Sequence, residues 1–115
     1  MREIPRDPAR IEHIKEAIDR ISQYVNGVSY TDFTNNSMLY YAIVKNIEII
    51  GEAAYMLTDT FKSQHPEIEW PVIVRMRHVL VHGYYQLDAD EIWLTATQNI
   101  PELQPKISDI LKQIE

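Results

Sequence analysis

A chain of 115 residues, 45% hydrophobic and 24% charged, has the balance of a globular protein, which excludes a disordered or fibrous one. The absence of cysteine excludes disulfides, thiolate metal sites and cysteine nucleophiles, and a formal net charge of -6 excludes wrapping duplex nucleic acid by bulk charge. The length suits a single domain spanning residues 1–115, which can bury roughly two-thirds of its unfolded surface without staples.

The N-terminal MREIPRDPAR has no apolar signal-peptide core, and no uncharged apolar run approaches the ~18 residues of a membrane span, so a cytoplasmic protein is expected. Asp7-Pro8 is a helix-start signal, because a carboxylate caps orphan N–H groups and proline needs no donor in the first turn. Ile11, Ile14, Ile18, Ile21 and Val25 follow at helical spacing until Asn26-Gly27 stops the run. Residues 28–34 read as a loop. Asn35-Asn36-Ser37 then offers caps for a longer helix reaching about Leu57, with one stripe of Ile43, Ile47, Ile50, Ala54 and Leu57 and a second of Val44, Gly51 and Tyr55. So wide an apolar surface calls for two neighbours, either both from this chain or one from another subunit. Gly51 in mid-helix costs ~1 kcal/mol relative to Ala, which points to close helix packing there.

Thr58-Asp59 caps a short helical turn through Gln64, ended by His65-Pro66, and a connector leads to a third helix starting at Pro71. Val72, Ile73, Met76, Val79 and Leu80 are its expected buried face. Asp88 caps a fourth helix with Ile92, Trp93 and Ala96, Pro101 breaks or kinks the pattern, and Leu103, Ile107, Ile110, Leu111 and Ile114 define a last helix. No segment alternates with period two, so the expected architecture is an all-α bundle of four or five helices.

From Trp70 to Leu87 the acidic chain carries no acid: WPVIVRMRHVLVHGYYQL places Arg75, Arg77, His78 and His82 on the third helix, ending at Gly83 beside Tyr84 and Tyr85. At about 100° per residue Arg75, His78 and His82 share one face, and Arg77 lies about 140° from His82. The wheel therefore pairs His82 with Arg75 or His78 before Arg77, unless the helix unwinds at Gly83 and lets His82 depart from it. An imidazole with an ordinary pKa of ~6.5 exchanges protons at cellular pH, and a guanidinium forks onto phosphate oxygens. Those groups suffice for cleaving RNA without metal: a base takes the ribose 2′-OH proton, the oxygen attacks the adjacent phosphorus, and a cation stabilises the added charge. An acid must then protonate the departing 5′ oxygen, and a symmetric dimer would supply the second imidazole. His78, Arg75 and Tyr85 are candidates for assisting at the substrate.

Each group also has an ordinary use. His82 can donate to the last helix carbonyls. Arg75 and Arg77 can pair with Glu48 or Glu52 on a solvated face, or Glu52 can orient a cation of the site. His78 and His82 have the i, i+4 spacing of a zinc pair, but no acid inside the segment offers a third ligand, so neither metal nor cofactor is expected.

Arg77-His78-Val79-Leu80-Val81-His82-Gly83-Tyr84 resembles the signature of the HEPN-domain ribonucleases of the HepT toxin family: arginine, four residues, histidine, any residue, tyrosine. NIEIIGEAA at 46–54, PEIEW at 66–70 and the 93–101 stretch are similar to that family too. The resemblance implies a homodimeric HEPN-type bundle with its cleft at the subunit interface, acting as a metal-independent endoribonuclease. It implies Arg77 and His82 as the catalytic pair. It further implies the toxin of a type II toxin–antitoxin pair, held by a minimal nucleotidyltransferase antitoxin that adenylylates Tyr84; phosphates beside His82 would block RNA by bulk and charge. The family often has Asn where this chain has His78. The other reading is a non-catalytic helical module that partners a nucleotidyltransferase. No spacing encodes the RNA target, although Tyr84-Tyr85 suits base stacking.

Overall fold

A computed structural model describes residues 6–83 and 88–114, and every regular element among them is helical. Helix α1 (Asp7–Val25) carries Pro8 in its first turn and buries Ile11, Ile14, Ala17, Ile18 and Ile21. Its N-cap is Arg6 rather than Asp7. The Asp7 carboxylate instead accepts the N–H of Thr58 at 2.9 Å and its hydroxyl at 2.7 Å. Thr58 is in turn the N-cap of α4 (Asp59–Gln64), its hydroxyl oxygen accepting the Phe61 N–H at 3.2 Å. Asp7 thus clamps two helix starts far apart in sequence. Asp7→Ala is expected to lower stability by about 1 kcal/mol, the value of a partly exposed hydrogen bond to a charged acceptor. A urea midpoint unchanged by the substitution would show that the clamp contributes nothing.

The segment expected as a loop contains a short helix, α2 (Tyr30–Thr34). A capping box forms it: the Ser29 hydroxyl accepts the Asp32 N–H at 3.0 Å and the Asp32 carboxylate accepts the Ser29 N–H at 3.4 Å. The turn buries Phe33 against Trp93, ring centroids 5.0 Å apart. The Tyr30 hydroxyl donates to Asp90, and this bond holds the phenol above its ordinary pKa of 10.0.

Asn36 caps α3 (Ser37–Met56) by accepting the Leu39 N–H at 3.1 Å. As its two stripes require, α3 packs on α1 and on α5. Ile43, Ile47, Ile50 and Ala54 are fully buried, and Leu57 follows them into the core. Asn46 is buried among them without penalty, since its amide donates to the Ala42 carbonyl at 2.9 Å and its oxygen accepts from Arg20 at 3.4 Å.

Helix α5 (Trp70–His82) begins one residue before Pro71. The buried Trp70 indole N–H donates to the His65 carbonyl at 3.0 Å, which ties the 66–70 connector to the end of α4. Leu80 is buried and Ile73 and Met76 are half-buried, but Val72 and Val79 are 53% and 48% exposed. The expected apolar face is therefore only partly covered, because α5 rests chiefly on α3.

Asp88 caps α6 (Ala89–Leu94), accepting the Asp90 N–H at 2.8 Å. Pro101 does not break the helical path. A π turn, Thr95–Asn99, leads directly into α7 (Ile100–Ile114), with the Ile100 N–H reaching back to the Thr95 carbonyl. The wider turn takes up the register where Pro101 can offer no N–H. Ile107 and Ile110 then close the core against α1. Helices α1, α3, α5 and α7 make up the body of an all-α bundle, with α2, α4 and α6 as short joints. No helix among the described residues is long and apolar enough to cross a membrane.

Candidate functional site

The site is organised by a helix crossing. A Cβ built on Gly51 would lie 2.1 Å from Arg77 Cβ and 3.1 Å from Arg77 Cα, so α5 runs almost in backbone contact with α3 at this point. The mid-helix glycine serves packing, as its cost in the sequence suggests. From the crossing the Arg77 side chain lies along α3. Its Nε is 2.7 Å from Glu52 Oε2, and its guanidinium carbon is 5.8 Å from the centre of the Tyr55 ring. The carboxylate oxygen sits off the N–H direction, so the contact is one of charge with charge, and the buried Nε–H has no hydrogen-bond acceptor.

Arg77 lines a cleft of about 370 Å³ between α1, α3 and α5, with Arg10, His13, Lys45, Glu48 and Glu52. Lys45 and Glu48 pair along α3 at 3.5 Å. His13 and Glu52 both line this cleft, and among the described residues no three His, Asp or Glu side chains gather to hold a metal ion.

At the carboxyl end of α5 the rings of His78 and His82 lie 4.6 Å apart, tilted by 48°, and both are exposed, as is Arg75. The Gly83 N–H still donates to the Val79 carbonyl at 2.8 Å, with Gly83 φ at -113°. The helix is thus intact to its end, and the unwinding that would release His82 from the wheel does not occur there. Arg75, His78 and His82 share a side as the wheel requires. Arg77 lies against α3 instead, and no hydrogen bond or ion pair among the described residues joins it to His82. Tyr84 and Tyr85 lie outside the described residues.

Two residues around Arg77, one touching it and one sharing its cleft, were not singled out from sequence. Tyr55 was assigned to an apolar stripe, yet it stands one turn beyond Gly51 and so faces the same helix; that spacing was the available signal. Arg10 carried none, being brought to the cleft only by the packing of α1 on α3.

Residues 14–110, which include all of α5, match the family described as Ribonuclease HepT-like. The chain belongs to the HepT-like ribonuclease family. A protein of Thermococcus cleftensis named "Probable ribonuclease HepT" is 35% identical to it over 89% of this chain and 93% of its own. One from Caldanaerobacter subterraneus subsp. tengcongensis, named "Putative RNase", is 35% identical over 90% and 92%. Another of that name from Methanocaldococcus jannaschii is 28% identical over 82% and 86%. No solved structure matches the chain. The HepT-like match begins and ends on the buried residues Ile14 and Ile110, so it takes in both the core and the crossing that seats Arg77.

Proposed function

We propose that this HepT-like chain is a metal-independent endoribonuclease, the toxin of a type II toxin–antitoxin pair working in the cytoplasm as one HEPN-type domain. The observation that carries this reading is the exposed His78–His82 pair in the last turn of α5, just beyond Arg77, in a chain whose relatives bear ribonuclease names. His82 takes the proton of a ribose 2′-OH, and that oxygen attacks the adjacent phosphorus. The bond from phosphorus to the 5′ oxygen breaks, leaving a 2′,3′-cyclic phosphate, and the departing oxygen takes its proton from a second imidazole. Arg77 stabilises the charge on the phosphate oxygens; Arg75, His78 and Tyr85 assist in holding the substrate.

In one chain Arg77 and His82 point to different sides of α5. A homodimer in which two α5 ends meet supplies imidazole and guanidinium from both protomers to one groove. The half-exposed Val72 and Val79 are apolar surface suited to such an association. The antitoxin is a minimal nucleotidyltransferase that adenylylates Tyr84, placing phosphate charge beside His82 where the RNA backbone must lie.

The test uses purified chain and single-stranded RNA in EDTA. The expected result is cleavage leaving cyclic phosphate ends, together with an added mass in multiples of adenylate after co-expression with the nucleotidyltransferase, lost in Tyr84→Phe. A tight complex with that partner and no cleavage of any RNA would make the chain a non-catalytic binding module instead.

A further inference from the structure

We infer that Glu52 and Tyr55 are positioning residues, which hold the Arg77 guanidinium so that its terminal nitrogens face outward for a phosphate. The inference rests on the proposed RNA cleavage through Arg77. A guanidinium has one N–H on Nε and four on its two terminal nitrogens. In this protein the buried Nε lies 2.7 Å from the Glu52 carboxylate, which sits off the N–H direction and holds it by charge, while the Tyr55 ring lies 5.8 Å from the guanidinium carbon. Gly51 lets the stem of Arg77 lie directly on α3. One turn of α3 therefore meets the base, the inner edge and the plane of the same side chain, which also lines the cleft, and no hydrogen bond among the described residues takes up its terminal nitrogens.

An acid beside a phosphate-binding arginine has two opposed effects. It orients the fork, and it offsets part of the positive charge. Glu52 is 49% exposed, so water screens its repulsion of a phosphate, whereas a forked contact of that phosphate with the terminal nitrogens is direct. Arg10 in the same cleft adds positive charge, while Lys45 there is paired with Glu48. Orientation is the larger effect, and it separates from neutralisation by experiment, since losing the charge alone would tighten RNA binding.

The experiment compares steady-state cleavage of one single-stranded RNA by the wild-type chain, Glu52→Gln, Glu52→Asp, Tyr55→Phe, Tyr55→Leu, Arg77→Ala and the double variant Glu52→Gln/Arg77→Ala. Thermal unfolding is measured for each. Glu52→Gln is expected to lower kcat about tenfold with the melting temperature held, and Glu52→Asp to restore part of the loss. Tyr55→Phe keeps the rate, and Tyr55→Leu lowers it. Arg77→Ala falls at least about a hundredfold, and adding Glu52→Gln to it changes nothing more. Unchanged kcat in Glu52→Gln, tighter RNA binding by it, or the same fractional loss in both backgrounds overturns the positioning role and leaves cleavage through Arg77 standing. Full activity in Arg77→Ala overturns the role of Arg77 and this inference with it.

Discussion

His82→Ala is expected to reduce RNA cleavage by about 10²–10⁴-fold, the usual contribution of a general acid or base, while leaving the fold and its melting temperature in place. The two effects separate because of where His82 sits. It is exposed in the last turn of α5, and its ring touches the neighbouring His78 ring rather than the core. Removing it takes away no buried contact. The favourable placement of a cation at a helix carboxyl end is worth about 0.3–1 kcal/mol at an exposed position, so unfolding should barely register the change. His82→Gln should lose as much rate as His82→Ala, since an amide hydrogen-bonds but does not carry a proton between two oxygens. His78→Ala should lose less, as befits a group that assists. If EDTA stops the wild-type reaction, the i, i+4 imidazole pair acts through a metal instead. Undiminished cleavage by His82→Ala would remove this residue from the chemistry.

The helices whose burial repeats every three or four residues were legible in the sequence. Isoleucines at 11, 14, 18 and 21, and at 43, 47 and 50, can share one face only in a helix, and all are buried. Helix α2 was harder to see because one turn is too short for a periodic pattern. Its signal was the Ser29-to-Asp32 capping box, which local hydrogen bonding fills. Val72 and Val79 show a different limit. Periodicity says that a face is apolar but not which surface covers it, and α5 has α3 as its chief neighbour within the chain. Pro101 was read as a break or a kink because proline lacks a donor; a π turn met the same constraint upstream and kept the helical path.

For the candidate site, the wheel already separated Arg77 from His82. The structure keeps them on different sides because Gly83 caps α5 without unwinding its last turn. The cleft formed with Arg10 was not legible, since it depends on the packing of α1 against α3. Glu52 was legible as an acid near the cations, and its pairing with Arg77 follows from the close crossing at Gly51.

That crossing gives the second large effect, Gly51→Ala. Helix propensity alone favours the alanine by about 1 kcal/mol, because glycine gives up more backbone freedom on becoming helical. Contact opposes it. The new Cβ would lie 2.1 Å from Arg77 Cβ and 3.1 Å from Arg77 Cα and Cγ, and the nearest of these belongs to the stem where it leaves the helix, not to a flexible tip. Relief requires α5 to move off α3. Overpacking of this kind costs about 1–3 kcal/mol, and an overlap this deep belongs at the upper end. The net expectation is a loss of about 2 kcal/mol, read as a lower urea midpoint with an unchanged slope. Because α5 carries Arg77 away from Glu52 and Tyr55 as it moves, cleavage should fall in the fraction that remains folded, beyond what lost stability explains. A gain in stability would mean that the two helices meet less closely than the crossing indicates. It would also leave the seating of Arg77 without its foundation.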